Sequence, residues 1–354
     1  WNDFLRREVF PKAREDFRLP ADLYAVRLRQ VGMDIPPTEL AARARTAFIE
    51  IRNQMVALAP LVARDRKVES TDYRDVIRAL RARQVEGDAT LPLYSERLAA
   101  IEAIIRHEKI VTLPEREAII RLATAAESAS VPAPSMRPPP FVNNQGERGE
   151  FVLPLSMPSV DGTAPTRRLE DFTFDAVTWT LTAHEARPGH ELQFASMVEN
   201  GVSLARALFA FNSVNVEGWG LYAEAEMQPY LPLDGQLIAL QFRLLRAARA
   251  FLDPGLQQGT ISLDEARRVL TEEVVLTEAM TEQELQRYTF RAPGQATSYF
   301  YGYQRLLELR ARTEIALGAR FNRQRFHDFV LAQGVLPPDL LAKAVLDEFV
   351  PAER

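Results

Sequence analysis

The segment LTAHEARPGHELQF, residues 181–194, holds two of the four histidines in a chain of 354 residues. A glutamate, Glu185, directly follows the first of them, His184. A zinc hydrolase typically uses two imidazoles that bind the metal and a carboxylate that deprotonates the metal-bound water. In the usual motif the two histidines are four residues apart on one helical face. Here His184 and His190 are six apart, with Pro-Gly between them.

Helix geometry determines whether two histidines six residues apart can bind the same ion. Helical residues four apart differ by about 400° of rotation and point nearly the same way, whereas residues six apart diverge by about 120°. Pro188 has no N–H for the carbonyl of His184 and its ring clashes with that carbonyl, so the helix must kink or restart. Gly189 allows a sharp turn. We therefore predict a helix break between Arg187 and His190 that brings both histidines to one point.

The third metal ligand predicted from the sequence is Glu217. It lies 27 residues after His190, enough for the chain to finish one helix, turn and return antiparallel. A catalytic zinc usually has three protein ligands and one open position. Glu224 follows two turns later on the same helical face and could orient a ligand histidine. The alternative is an exposed amphipathic helix with both glutamates in solvent.

A tyrosine-rich block, RYTFRAPGQATSYFYGY, occupies residues 287–303 and holds four of the nine tyrosines. A tyrosine hydroxyl opposite the metal can donate to the oxyanion that develops during amide hydrolysis, and Tyr299 and Tyr288 are the candidates. Arg287 or Arg291 could receive a terminal carboxylate of the substrate. The alternative is a tyrosine-rich helix packed in the core. Of the remaining two histidines, His107 is expected on the surface and His327 is expected to have a structural role.

The first 130 residues have helical periodicity. Apolar residues predict a helix over 43–59, ended by Pro60, and a second helix over 98–105. Pro114 is well placed to open a third helix over 115–125. Helical periodicity returns from Phe174 to the end of the chain. The sequence thus predicts a helical region over residues 1–130 and a catalytic region over 131–354, in one continuous domain.

A proline-rich stretch separates these two regions. Residues 131–166 hold eight of the 23 prolines, which excludes helix there. Within it, residues 149–155 have the length and apolar content of an edge strand, where Pro154 is tolerated. Such an edge, near Phe151, could pair with an extended peptide substrate; an ordered surface loop is the alternative. Further on, Ser262 and Thr281 each begin a capping-box pattern and predict two helix starts.

Composition excludes several classes of protein. A net charge of −5 argues against nucleic-acid binding, and no apolar run is long enough for a transmembrane helix. The absence of cysteine removes disulfides, thiolate ligands and cysteine nucleophiles. The chain begins at Trp1 rather than Met, so we expect the C-terminal part of a longer precursor. Its compartment stays open, with bacterial export as one possibility, and so does its oligomeric state.

The three blocks together resemble the bacterial family catalogued as domain of unknown function 885, which is grouped with the zincin-type metallopeptidases. Its members carry His-Glu-x-x-Pro-Gly-His, Glu-Gly-Trp-x-x-Tyr-x-Glu, and Arg-Tyr followed by Pro-Gly-Gln-Ala-x-x-Tyr. These blocks are matched here at residues 184–190, 217–224 and 287–299. The ending FHDFVLAQGVLPPDLL, residues 326–341, also looks like the family's C-terminal segment. Two positions depart from the pattern: Glu191 replaces a frequent second histidine, and Gly220 replaces the usual alanine.

The resemblance implies a mainly α, zincin-like (gluzincin-type) metallopeptidase domain with a small β-sheet before the active-site helix. One Zn²⁺ would be bound by His184, His190 and Glu217, and Glu185 would be the general base acting on a peptide or other amide. The alternative is a non-catalytic helical binding or scaffold protein with a structural or vestigial metal site. The retained Glu185 argues for catalysis. A di-iron bundle is disfavoured because no Glu-x-x-His pair occurs, and a serine hydrolase because no Gly-x-Ser-x-Gly elbow occurs.

Overall fold

The chain folds into a mainly helical structure with little sheet. The computed structural model describes residues 1–157 and 167–354. The helices of the first 130 residues are α1 (Asn2–Phe4), α2 (Ala21–Val31), α3 (Pro37–Arg66), α4 (Tyr73–Arg81), α5 (Thr90–Glu108) and α6 (Ala125–Ser130). The later helices are α7 (Asp175–Leu181), α8 (His190–Asn200), α9 (Leu204–Phe209), α10 (Ser213–Met227), α11 (Leu233–Gln257), α12 (Leu263–Arg268), α13 (Glu278–Gln286), α14 (Thr297–Leu317), α15 (Arg323–Ala332), α16 (Pro338–Ala344) and α17 (Val350–Ala352).

A small three-stranded sheet lies before the histidine segment. Its strands are β1 (Ile119–Leu122), β2 (Ser135–Arg137) and β3 (Glu150–Leu153), in the order β1-β3-β2. The pairing of β3 is parallel with β1 and antiparallel with β2. A second pair joins β4 (Ser156–Met157) to β5 (Arg167–Arg168). Part of the stretch predicted to lack helix, residues 158–166, lies outside the described residues.

Helix α11 forms the centre of the main core. Its sequence is apolar around most of its circumference, which is the pattern of a helix buried on all sides. Helix α3 packs along it, and the same apolar core includes residues of α2 and α14. The early helices therefore share a core with the later ones. None of the described helices is both long and apolar enough to cross a bilayer.

Two helix predictions in the first 130 residues are wrong. Helix α3 continues through Pro60 to Arg66, because Val62 and Ala63 beyond the proline are buried in the core and hold the last turns in place. The helix predicted over 115–125 is absent, since Ile119–Leu122 pairs with β3 as a parallel strand. In both places tertiary packing overrides a local proline signal. The helix predicted over 98–105 is confirmed within α5.

The predicted edge strand is the central strand of the sheet. Strand β3 has β1 on one side and β2 on the other, and it ends before Pro154, so that proline never has to be accommodated at an edge. Phe151 is fully buried, with its ring centroid 5.6 Å from that of Tyr94. The prediction that Phe151 marks a substrate-pairing edge is therefore wrong. The edge strand that contacts the histidine segment and α8 is β2.

One of the two predicted helix starts is correct. Ser262 precedes α12 and its side chain accepts a hydrogen bond from the backbone N–H of Glu265. The second start is placed too late: α13 begins at Glu278, and its cap is Thr277, which accepts from the N–H of Met280. Thr281 is a buried residue in the first turn of that helix.

Candidate metal centre

The histidine segment contains the predicted break. Helix α7 runs into a π-helical segment, Thr182–Ala186; Arg187 is then extended, at φ −126° and ψ 136°, and α8 begins at His190. A Cβ on Gly189 would overlap the carbonyl oxygen of His184, so only glycine lets the chain fold back this closely. The indole N–H of Trp219 on α10 donates to the carbonyl of Pro188 at 2.9 Å and ties the turn to that helix.

Both histidines and Glu217 meet at one point, as predicted. The ring centroids of His184 and His190 are 4.5 Å apart with an interplanar angle of 78°. Their Nε2 atoms lie 3.7 and 3.5 Å from Oε2 of Glu217. Within the described ranges, no other group of three such side chains brings its ligand atoms this close together.

These separations fit a shared ion better than direct hydrogen bonds. N–H···O hydrogen bonds usually span 2.7–3.2 Å. Ligand atoms about 2.1 Å from a tetrahedral zinc are about 3.4 Å from one another. The observed 3.5 and 3.7 Å are close to that edge length. Two imidazole nitrogens and one carboxylate oxygen are also a donor set suited to zinc.

Glu224 contacts His184 at the ring nitrogen that does not face Glu217. Its Oε1 lies 2.7 Å from Nδ1 of His184, which leaves Nε2 of that ring facing Glu217. The carboxylate is buried and also accepts from Thr180 at 2.8 Å and from Arg246 at 3.1 Å. A histidine that binds metal through one ring nitrogen is commonly oriented in this way through the other.

The electrostatics of the cluster are those of buried ion pairs. Burial lowers the pKa of His184, but the carboxylates of Glu217 and Glu224 outweigh it and raise that pKa to about 9. Burial raises the pKa of Glu217, but the two histidines outweigh it and hold the pKa well below its ordinary value. A metal ion must therefore displace a proton from His184 to bind.

Gly220 explains how both rings reach this position. A Cβ on Gly220 would lie 2.6 Å from Cε1 of His184 and 2.9 Å from Cε1 of His190. The two rings therefore pack directly on the backbone of α10. The departure from alanine at this position gives the imidazoles the space that a methyl group would take.

Glu185 and Tyr299 face a cavity of about 240 Å³ that also reaches His184. Burial raises the pKa of Glu185 and outweighs the two histidines, which lower it. The Tyr299 ring lies nearly parallel to that of His184, at 16° and 6.3 Å between centroids. Burial also raises the pKa of Tyr299, so its hydroxyl stays protonated and able to donate. A proton acceptor and a proton donor thus border the same space as the histidine ring.

Tyr288 does not face this cavity, contrary to the prediction. Its side chain is fully buried and its hydroxyl donates to Oε2 of Glu284 at 2.6 Å. The π-helical segment Arg287–Arg291 turns Tyr288 towards the core, whereas Arg287 and Arg291 line the cavity.

Sequence reasoning missed several polar residues around the site. Arg246 and Arg249 line the cavity from α11, and Gln295 donates to Oε1 of Glu217 at 3.3 Å. The sequence does contain an indication of these two arginines. They are three residues apart in a stretch that is otherwise nearly all apolar, which is unusual for side chains without a specific role. His327, as expected, is structural: its ring nitrogens lie 2.7 Å from the carbonyl oxygen of Ile110 and 2.8 Å from the Tyr222 hydroxyl.

Fold and site together define a mainly helical protein with a buried two-histidine, one-carboxylate cluster beside a cavity. The family model for "Bacterial protein of unknown function (DUF885)" matches residues 1–345, and the chain belongs to this family. No curated protein matches the chain.

Two solved structures, each described as that of a "putative lipoprotein", have a similar fold. The one from Shewanella oneidensis has a TM-score of 0.78 at 22% identity, over 97% of this chain and 62% of the other. The one from Colwellia psychrerythraea has a TM-score of 0.83 at 22% identity, over 98% of this chain and 58% of the other. The chain thus spans about three fifths of the length of each.

Proposed function

We propose that the protein is a zinc-dependent hydrolase of amide bonds, and specifically a zincin-like metallopeptidase. The observation that carries the proposal is the placement of two histidine Nε2 atoms 3.5 and 3.7 Å from one oxygen of Glu217, next to a buried Glu185 that borders a cavity. A structural zinc site is closed by four protein ligands, whereas three ligands leave a position for water or substrate.

Each side chain then has a distinct task. A bound zinc supplies a water of lowered pKa and polarises the scissile carbonyl. His184, His190 and Glu217 would hold it, and the carboxylate of Glu185 accepts the proton of the attacking water and passes it to the leaving amine. The Tyr299 hydroxyl donates to the oxyanion.

Substrate in extended form would pair with β2 rather than β3. Strand β2 is the sheet edge that contacts the histidine segment, and the residues just before it, 130–134, line the cavity. Backbone pairing of this kind positions a peptide without reading its side chains. We also propose that the protein is exported, because both similar structures are described as those of a "putative lipoprotein".

The test combines metal analysis with Glu185→Gln. Purified wild-type protein should hold about one zinc per chain and cleave members of a peptide library. The variant should keep its zinc and lose about 10²–10⁴-fold in rate, since it loses the general base alone. His190→Ala is the comparison variant and should lose both zinc and activity.

Two outcomes contradict the proposal in different ways. If the purified protein binds no metal under non-chelating conditions, the proposal is wrong, because it depends on a bound zinc. Protein that binds zinc, cleaves nothing and is unaffected by Glu185→Gln would instead favour the alternative function, a helical binding or scaffold protein with a structural metal.

A further inference from the structure

Four arginines line the cavity that His184 and Glu185 also border. Arg246 and Arg249 project from α11, and Arg287 and Arg291 project from the segment after α13. Two of the four are neutralised: Arg246 lies 3.1 Å from Glu224, and Arg249 makes two bonds of 2.7 Å to Glu284.

Among residues 1–157 and 167–354, Arg287 has no equivalent counterion. Its Nη1 is buried and makes no hydrogen bond to any described residue, and its distance to Oε1 of Glu284 is 3.9 Å. Glu284 is already committed, since its two oxygens accept from Arg249 and Tyr288. Arg291 is exposed and forms no ion pair with the described part of the chain. These four arginines, called the arginine wall below, thus carry an excess of positive charge. One of their donors, Nη1 of Arg287, has no hydrogen-bond partner in the part of the chain that the structure describes.

The arginine wall and the metal residues are neighbours. The Tyr299 ring contacts both, with its centroid 6.3 Å from that of His184 and 4.6 Å from Cζ of Arg249. One residue of extended chain spans roughly 3.3–3.6 Å. A cavity of about 240 Å³ is below the usual range for drug-sized ligands, roughly 300–1,000 Å³. The space between His184 and the arginines is therefore large enough for one or two residues of a substrate.

We propose that Arg287, assisted by Arg291, binds the free carboxylate of the substrate. A planar guanidinium matches a carboxylate with two parallel hydrogen bonds, and a buried, unpartnered donor favours such an anion. This inference rests on the proposed hydrolase function and names its substrate class. The substrates are short peptides or N-acyl amino acids, cleaved at the amide bond nearest the C-terminal carboxylate.

The first experiment compares short peptides that differ only in having a C-terminal carboxylate or carboxamide. Wild-type kcat/KM should be at least about tenfold lower for the carboxamides. Arg287→Gln should lower kcat/KM for the free acids by about 10–100-fold and leave the carboxamides unchanged, and Arg287→Lys should recover part of the loss. Arg312→Gln, an exposed arginine on α14, is the matched control and should change neither.

The second experiment measures binding without catalysis. Calorimetry on zinc-loaded protein should show that N-acetyl-leucine binds and that N-acetyl-leucinamide does not, with the difference lost in Arg287→Gln. This result supports the carboxylate site even if no peptide is cleaved, in which case the hydrolase proposal alone fails.

Other results overturn the inference. Equal binding of acid and amide by the wild type would do so, and this comparison needs no variant to fold. Hydrolysis that does not distinguish carboxylate from carboxamide would leave the hydrolase function standing and remove the carboxylate site.

Discussion

At the scale of single residues, the turn at Pro188-Gly189 lets His184 and His190 converge on Glu217. This convergence could be predicted from the sequence. Few side chain types bind zinc, and the Pro-Gly insertion accounts for the unusual histidine spacing by geometry alone. Tyr288 and Tyr299 could not be separated, because both lie in the same block. Which hydroxyl faces the cavity depends on Glu284, which holds Tyr288 in the core.

A substitution at Glu224 should weaken the proposed metal site without changing any of its three proposed ligands. We expect Glu224→Gln to lower zinc affinity by about 10–100-fold, because the amide no longer carries the charge that orients His184 and neutralises Arg246. Competition with a chromophoric chelator measures this. Glu226→Gln is the matched control, since Glu226 is on the same helix and pairs with Arg310 instead. Equal affinities in both variants would mean that Glu224 has no part in holding the histidine.

At the scale of elements, local sequence patterns gave a wrong prediction where contacts with a segment distant in the sequence determine the structure. The strand around Phe151 was predicted correctly as a strand but not as the central one, because its neighbour β1 comes from a segment with helical periodicity. Pro60 marks no helix end because the core on one face of α3 holds the helix together.

The crossing of α10 and α14 depends on two glycines in contact. A Cβ on Gly302 would overlap the carbonyl oxygen of Val214 and lie 2.7 Å from Cα of Gly218. Both obstacles are backbone, so the helices must separate to accept a methyl group. We expect Gly302→Ala to destabilise the fold by about 1–3 kcal/mol, seen as a fall in Tm of several degrees.

Gly235→Ala is the control for this prediction. Gly235 is also in a helix, but the nearest obstacle to its Cβ is the Trp179 side chain at 3.2 Å. This obstacle is a side chain rather than backbone and has to shift by only a few tenths of an ångström. Alanine also favours helix over glycine by about 1 kcal/mol, so little net change is expected. A Gly302→Ala protein as stable as the Gly235→Ala protein would mean that the two helices can readily separate.

At the scale of the whole molecule, buried Asp253 joins three parts of the chain. It is on α11, accepts from the Tyr24 hydroxyl of α2 at 3.0 Å, and accepts from the backbone N–H of Gly294 at 2.9 Å. Burial raises the pKa of Asp253 to about 7, although these bonds and Arg287 lower it. No sequence pattern marks this aspartate as buried, since its partners are 229 and 41 residues away.

The pH dependence of stability should report this carboxyl group. Its pKa is higher in the folded state, so its contribution is complete below about pH 4 and is lost as the pH rises through 7. We expect the stability of the wild type relative to Asp253→Asn to fall over this interval, by about 4 kcal/mol at most. Tm measured from pH 4 to 8 tests this. Asp264→Asn, at an exposed position on α12, should follow the wild type throughout. Parallel curves for Asp253→Asn and the wild type would contradict the prediction.

The glycine contact between α10 and α14 also has a consequence for how this protein can evolve. Gly218 is adjacent to Glu217, and Gly302 is one turn from Tyr299, so the same contact sets the spacing between the proposed metal ligand and the tyrosine beside the cavity. A mutation that enlarges either glycine shifts both functional side chains at once. We therefore expect the facing surfaces of the two helices to change together, because recombination that exchanged one helix alone would bring in a surface fitted to a different neighbour.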